Sequence, residues 1–334
     1  MEGHMAKLSL TLAVTVLDRT RAILDGTIRP EGIDLNCLPM SVEEIFWRMS
    51  KHSEFDVSEM SGTAYMLDRA KADPRFIAVP VFLSRSFRHS GMYVHAGSGI
   101  ERPEDLVGKR VGAPEYAVTA VTWIRGMLKH EYGIEPSDLH WMIGGQESPG
   151  REERAYFVPP AGVTIEPLPP GATLNDMLVK GEIDAMFAPR IPKPFAEGNP
   201  AIRRLFPDVQ AVEEDYYRRT KIFPIMHILV MKQEIYREHP WVAESLYKAF
   251  RRAKEECMQA MYDATAIPCS LPWFVQEIER ERRVFGYDLW PYGIEESRPT
   301  LEAMVQYHVE QELIPRAIPI EELFATPTVN EFKI

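Results

Sequence analysis

Apolar and polar residues fall in short blocks along this chain, and the period of the blocks changes repeatedly. Leu8-Ser9-Leu10-Thr11-Leu12-Ala13-Val14 reads as a buried strand that runs into the polar loop Asp18-Arg19-Thr20 and a short helix from Arg21. Ser41-Val42-Glu43-Glu44 has capping-box spacing, and the helix it starts carries Ile45, Phe46 and Met49 on one face. Residues 55–60 read as a short strand, 61–71 as a helix and 76–83 as a longer apolar strand. A strand, a polar loop and a helix repeated in this way form the α/β unit whose loops line a crevice at the carboxyl ends of the strands.

The register changes at Arg102-Pro103-Glu104-Asp105-Leu106-Val107-Gly108, where a capped turn leads to a new strand and, through Pro114-Glu115-Tyr116, to a helix with Val118, Val121, Ile124 and Leu128 on one face. Further on, 139–143, 163–168 and 183–187 read as strands, 144–154 as a glycine-bearing polar loop, and Thr173 as the cap of a helix that Gly181 stops. Residues 223–231 form another apolar strand ahead of a long helix from near Pro240, and helices are expected over 271–285 and 300–313. The pattern predicts an α/β protein of two lobes, each a mixed sheet flanked by helices. Residues 6–93 with 223–334 form the first lobe and 94–222 the second, with hinges near Tyr93 and Ile222 and a ligand cleft between them.

A chain of 334 residues suits two lobes better than one small core. The net charge of −11 leaves no basic stripe for nucleic acid, so any cations that matter are local, in a pocket. Cys37, Cys257 and Cys269 have no metal-ligand spacing, and their odd number suits a reducing, cytoplasmic compartment. No apolar run approaches the roughly 20 residues of a membrane span. The opening MEGHM ahead of Met5 reads as a remnant of cloning, which sets His4 aside, and the strand-like Leu8 to Leu17 lacks the basic region and cleavage site of a signal peptide.

Chemistry concentrates between Val81 and His95, in VFLSRSFRHSGMYVH, where Arg85, Arg88, His89 and Ser90 form a polar knot between two apolar runs. Arginine presents a planar fork that matches a carboxylate bidentately, and histidine adds a group that titrates near neutrality. The knot therefore reads as a receptor for a small organic anion, against the simpler reading of solvated loop charges.

Several segments together carry a family resemblance. They are Asp18-Arg19-Thr20, Phe87-Arg88-His89-Ser90, the run Pro103-Glu104-Asp105-Leu106 through Gly112, Gly112-Ala113-Pro114-Glu115-Tyr116, Lys180-Gly181-Glu182-Ile183-Asp184-Ala185, Phe223-Pro224-Ile225-Met226-His227 and Pro291-Tyr292-Gly293-Ile294-Glu295. In these the chain resembles the 4,5-dihydroxyphthalate decarboxylase family from about Leu8 to Leu313. The resemblance implies a type 2 periplasmic-binding-protein-like fold and a cytoplasmic carbon-carbon lyase that releases carbon dioxide from 4,5-dihydroxyphthalate to give protocatechuate. The alternative on the same scaffold is a non-catalytic receptor for an aromatic or small organic carboxylate.

Such a reaction needs an acid at the ring carbon, a group that orients the hydroxyls and cations for the carboxylate that stays. His89 and His227 are the candidate acids, and Glu115 is a candidate base or a helix-start charge. Arg19, Arg85 and Arg88 are the candidate carboxylate ligands, with Arg151 and Arg190 behind them, and Ser61, Ser90, Tyr116 and Thr119 are neutral donors. Phe87, Tyr116, Trp290 and Tyr292 are candidates for stacking on the ring. No cofactor is expected; a divalent ion held across the cleft by His89, Glu115 and His227 stays open as an alternative. The expected partner is a small aromatic carboxylate, without nucleic acid or membrane, and assembly as a homo-oligomer is expected.

Overall fold

The computed structural model describes residues 7–154, 157–263 and 265–328, so the opening MEGHM and its His4 lie outside the described residues. Two mixed sheets divide the chain. The first contains β1 (Leu8–Val14), β2 (Ile33–Pro39), β3 (Val57–Ser61), β4 (Phe76–Arg85) and β11 (Ile225–Lys232) in the order β2-β1-β3-β11-β4. The second contains β5 (Met92–His95), β6 (Arg110–Ala113), β7 (His140–Ile143), β8 (Thr164–Pro167), β9 (Ala185–Phe187) and β10 (Ile202–Arg204) in the order β10-β5-β9-β6-β7-β8. The chain passes into the second sheet over residues 86–91 and returns over 205–224, so β5, which holds the expected hinge residue Tyr93, lies wholly in the second sheet.

Strand direction decides where a site can form. β1 runs parallel to β2 and β3, and β11 is antiparallel to β3 and β4, so the carboxyl ends of β1 to β4 share one edge with the start of β11. In the second sheet β6 to β9 are parallel, and the end of β9 pairs with the start of β5. The loops that follow these strands face one another across the cleft, as α/β sheets dictate.

The first sheet is packed by α1 (Arg21–Leu24), α2 (Val42–His52), α3 (Gly62–Arg69), α8 (Gln233–Glu238), α9 (Trp241–Tyr262) and α11 (Arg298–Glu310), while α10 (Phe274–Phe285) lies against the crossing segments, with Arg280 paired to Glu214 and Phe285 packed on Phe87 and Phe223. The second carries α4 (Thr119–Tyr132), α5 (Leu174–Lys180), α6 (Lys193–Ala196) and α7 (Val209–Thr220). The capping signals act as read: Ser41 Oγ accepts the Glu44 amide at 3.4 Å and Thr173 Oγ1 the Asp176 amide at 3.1 Å. Gly181 ends α5 at φ +70°, a conformation that L side chains rarely adopt. Some elements lie beyond the expected ones, β2 and α7 among them. β2 is a half-exposed edge strand, and α7 buries only Tyr216. Among the described residues no helix is long and apolar enough to cross a membrane.

Candidate active site

Glu59 is the central residue of β3, and at 1% exposure it is a carboxyl group in a place where carboxyls are rare. Its partners explain it. His227, at the start of β11, directs Nδ1 to Glu59 Oε1 at 2.5 Å, and the Thr15 amide at the end of β1 donates to Oε2 at 2.8 Å. Burial pushes the Glu59 carboxyl up, but the hydrogen bond and charge of His227 and the Thr15 contacts outweigh it and hold it below the usual carboxylate range. A carboxylate on Nδ1 fixes the orientation of the imidazole and leaves Nε2 to a ligand. The His227 side chain keeps 20% exposure and meets the ring of Phe46 edge-on at 4.9 Å.

His227 stands directly opposite Ser61 in the β3–β11 ladder. Ser61 Oγ lies 2.7 Å from Thr119 Oγ1 at the start of α4, and Thr119 Oγ1 also accepts the Thr63 amide at 3.0 Å, so hydroxyls from both lobes meet beside the histidine. Phe46 and Ser61 continue into a cavity of about 480 Å³, whose walls include Met60, Leu67, Glu115, Val118, Arg154 and Phe157. That space exceeds what a single-ring aromatic diacid requires and is largely apolar with a few polar groups, as small-molecule sites are.

Arginines gather around Glu115, which lines this cavity together with Arg154. Glu115, after β6, is 2% exposed and receives Arg151 through Nε at 2.9 Å and Nη2 at 2.5 Å, and Arg154 through Nε at 2.8 Å. A carboxylate so enclosed orients the two arginines and is not a free base. Arg190, after β9, pairs with Glu43 of α2 at 2.9 Å across the cleft, and Arg151 approaches the same carboxylate at 3.9 Å. Arg88 is different: its Nε donates to the Met226 thioether at 3.0 Å and its Nη1 reaches the Pro189 carbonyl at 3.5 Å, a thioether and a distant carbonyl in place of a carboxylate. Burial lowers its pKa to about 10, so the guanidinium stays charged near neutrality. Its two contacts are the sequence neighbours of His227 and Arg190.

Other expected site residues fold into the interior. Arg85 gives Nη1 to the Phe223 carbonyl at 2.8 Å and Nη2 to the Pro291 carbonyl at 2.9 Å and Ser297 Oγ at 2.7 Å, which ties β4 to the returning chain. Arg19 lies over Trp290 at 3.9 Å, pairs with Asp18 at 2.9 Å and donates to the Leu83 carbonyl. Tyr292 is 3% exposed beside them. Ser90 gives its amide to Glu213 at 3.0 Å. His89 is 1% exposed against Phe206 and Tyr216, and burial, with the Arg219 charge adding to it, pushes its pKa down to about 4, so the ring is neutral. The Tyr116 side chain lies inside the second lobe, stacked on Phe157 at 5.3 Å. Three residues that join the site escaped the sequence reading: Glu59, Glu43 and Arg154. Among the described residues no group of three or more His, Cys, Asp or Glu side chains is placed to hold a metal ion.

Two lobes meeting at the carboxyl ends of their strands define a type 2 periplasmic-binding-protein-like fold. Residues 30–149 match the family described as NMT1/THI5 like. The periplasmic sulfonate-binding protein from Methylobacillus flagellatus has a similar fold, with a TM-score of 0.56 at 13% identity over 96% of this chain and 92% of that one. A 4,5-dihydroxyphthalate decarboxylase from Comamonas testosteroni is 38% identical over 99% of this chain and 100% of its own length. A second, from Pseudomonas putida, is 41% identical over 64% of this chain and 83% of its own length. The chain belongs to the 4,5-dihydroxyphthalate decarboxylase family and is a carboxy-lyase.

Proposed function

We propose that this chain decarboxylates 4,5-dihydroxyphthalate to protocatechuate, with His227 as the proton donor. The observation that carries the reading is the end-to-end relationship to a decarboxylase of that name. The site is suited to the chemistry. A hydroxyl para to the departing carboxylate releases its proton and feeds an electron pair into the ring, and the ring carbon takes a proton from His227 Nε2. The carbon-carbon bond then breaks, its electron pair restores the aromatic ring, the phenol is reprotonated and carbon dioxide leaves. One proton is consumed for each carbon dioxide released.

Glu59 holds His227 by Nδ1 and fixes the orientation of its ring. Arg88 receives the carboxylate that stays, and Arg151, Arg154 and Arg190, three cations against the carboxylates of Glu115 and Glu43, keep a net positive charge that stabilises charge as it moves across the ring. Ser61 and Thr119 take the hydroxyls. The three free cysteines agree with a cytoplasmic location.

The test is to mix purified protein with 4,5-dihydroxyphthalate and follow the ultraviolet spectrum and carbon dioxide release, with and without a chelator. The expected result is one carbon dioxide and one protocatechuate per substrate. Tight binding without turnover overturns the enzyme assignment, and chelator-sensitive turnover overturns a mechanism resting on His227 alone.

A further inference from the structure

The helix that opens the second lobe does not stay in it. Trp123 of α4 is 1% exposed inside the hydrophobic core of the first lobe, and its indole N–H donates to the Ile225 carbonyl of β11 at 2.9 Å. One turn on, Gly126 lies against Tyr307 of α11 so closely that a Cβ would fall 2.0 Å from the ring. In the other direction, Leu313, just past α11, belongs to the core of the second lobe.

Arg125 sits at the centre of this contact, fully buried, and each of its hydrogen-bond partners is neutral. Nε donates to Gln311 Oε1 at 2.6 Å, Nη1 to the Tyr116 carbonyl at 2.7 Å and Nη2 to Thr122 Oγ1 at 3.4 Å, while the guanidinium lies 3.7 Å over the Tyr116 ring. Gln311 completes the loop by donating to the Thr122 carbonyl at 2.9 Å. At the other end of the cleft, Phe87 and Phe223, one from each crossing segment, stack at 4.8 Å, and Phe285 of α10 packs on both.

A hinge rotation of the kind by which solute receptors open would pull Trp123 from its core. It would also take from Arg125 the Gln311 acceptor, which lies outside its own segment, and leave that buried N–H unpaired. We infer that α4 fixes the two lobes in the closed arrangement and that Arg125 is a positioning residue, holding the Tyr116 carbonyl so that Glu115 and Thr119 on either side face Ser61 and His227. The scaffold of a receptor thereby becomes a preformed site, in which charge-stabilising groups are in place before the substrate arrives. The positioning role rests on the decarboxylase reading; the fixed lobes do not.

The experiment places nitroxides on Lys51→Cys of α2 and Lys193→Cys of α6, both exposed, with the three native cysteines replaced and labelled chains diluted with unlabelled ones, and measures their separation by pulsed dipolar spectroscopy. The ligand-free protein is expected to show one narrow population that moves by less than about 1 Å when phthalate, which lacks the ring hydroxyls, is added in excess. A second, longer population without ligand, or a closure of more than about 2 Å with phthalate, overturns the fixed lobes whether or not the protein turns over. Arg125→Met and Gly126→Ala disturb the contact in different ways, and whichever folds is expected to show a second population together with a kcat loss of about 10²-fold and little change in KM. A folded Arg125→Met protein with full kcat overturns the positioning role, and absence of turnover in the parent protein overturns the decarboxylase reading instead.

Discussion

His89 and His227 each follow an apolar run at a strand end, and their surroundings differ in every respect that matters to proton transfer. His89 is enclosed by Phe206 and Tyr216, with Nδ1 4.0 Å from the nearest carboxylate, and is neutral. His227 is partly exposed and joined to a buried carboxylate at 2.5 Å. The same contrast separates Arg85, whose terminal nitrogens are held by two carbonyls and a hydroxyl, from Arg88, which has a thioether and one distant carbonyl. Partners brought from elsewhere in the chain, and not the local sequence, set the two members of each pair apart.

The sharpest way to break the histidine comparison is His227→Ala. Loss of a general acid is expected to lower kcat by about 10²- to 10⁴-fold with the fold retained, read by steady-state kinetics beside circular dichroism. Glu59→Gln should lower kcat less, with KM unchanged, because the imidazole remains but the carboxylate that orients it does not. Full activity in the His227→Ala protein would remove this residue from the mechanism.

The arginines should separate by observable. Arg88→Met is expected to raise KM for the diacid by about 10- to 100-fold, the value of a charge-assisted hydrogen bond lost in ground and transition states alike, with little change in thermal stability. Arg85→Met should do the reverse. It leaves the Phe223 and Pro291 carbonyls unsatisfied and is expected to cost about 2–4 kcal/mol in denaturant unfolding. A KM effect at Arg85 with unchanged stability would exchange the two roles.

Much of the fold could be read from the chain because strands such as 76–85 and 225–232 are apolar enough to be recognised alone, and because caps at Ser41 and Thr173 obey local rules. β2 and α7 also keep a period, with Ile33, Leu35 and Cys37 alternating along β2 and Val209, Val212 and Tyr216 on one face of α7, but each hides only part of that surface. The site was harder to read, since Glu59 and His227 are 168 residues apart and only the pairing of β3 with β11 joins them. One signal was available in the sequence: a glutamate inside Val57-Ser58-Glu59-Met60, a strand otherwise fit for burial, requires a cationic or protonated partner. Nothing local distinguishes Arg85 from Arg88, because the acceptors that hold Arg85 come from residues 223, 291 and 297.

The smallest effect is also the most discriminating for His89. Its folded-state pKa of about 4 lies below the ordinary 6.5, so the unfolded chain binds a proton over a range in which the folded chain does not. The stability it confers is present above pH 6.5 and lost as the pH falls from there towards 4. His308, also pushed down by burial to about 4, acts in the same direction, and the depressed Glu59 extends the loss below the usual carboxylate pKa. Glu153 opposes them: burial and the nearby Glu115 charge raise it to about 7, so its contribution is lost as the pH rises from 4.5 through 7. Replacing His89 by Phe removes one proton-uptake site and should flatten the acid limb by up to about 1.4 kcal/mol per pH unit. At pH 7.5 it should change stability by less than about 1.5 kcal/mol and leave kcat intact. Denaturant unfolding from pH 4 to 8 measures the limb. A folded His89→Phe protein that had lost turnover at neutral pH would show that this ring reaches the substrate, and the contrast with His227 would fall.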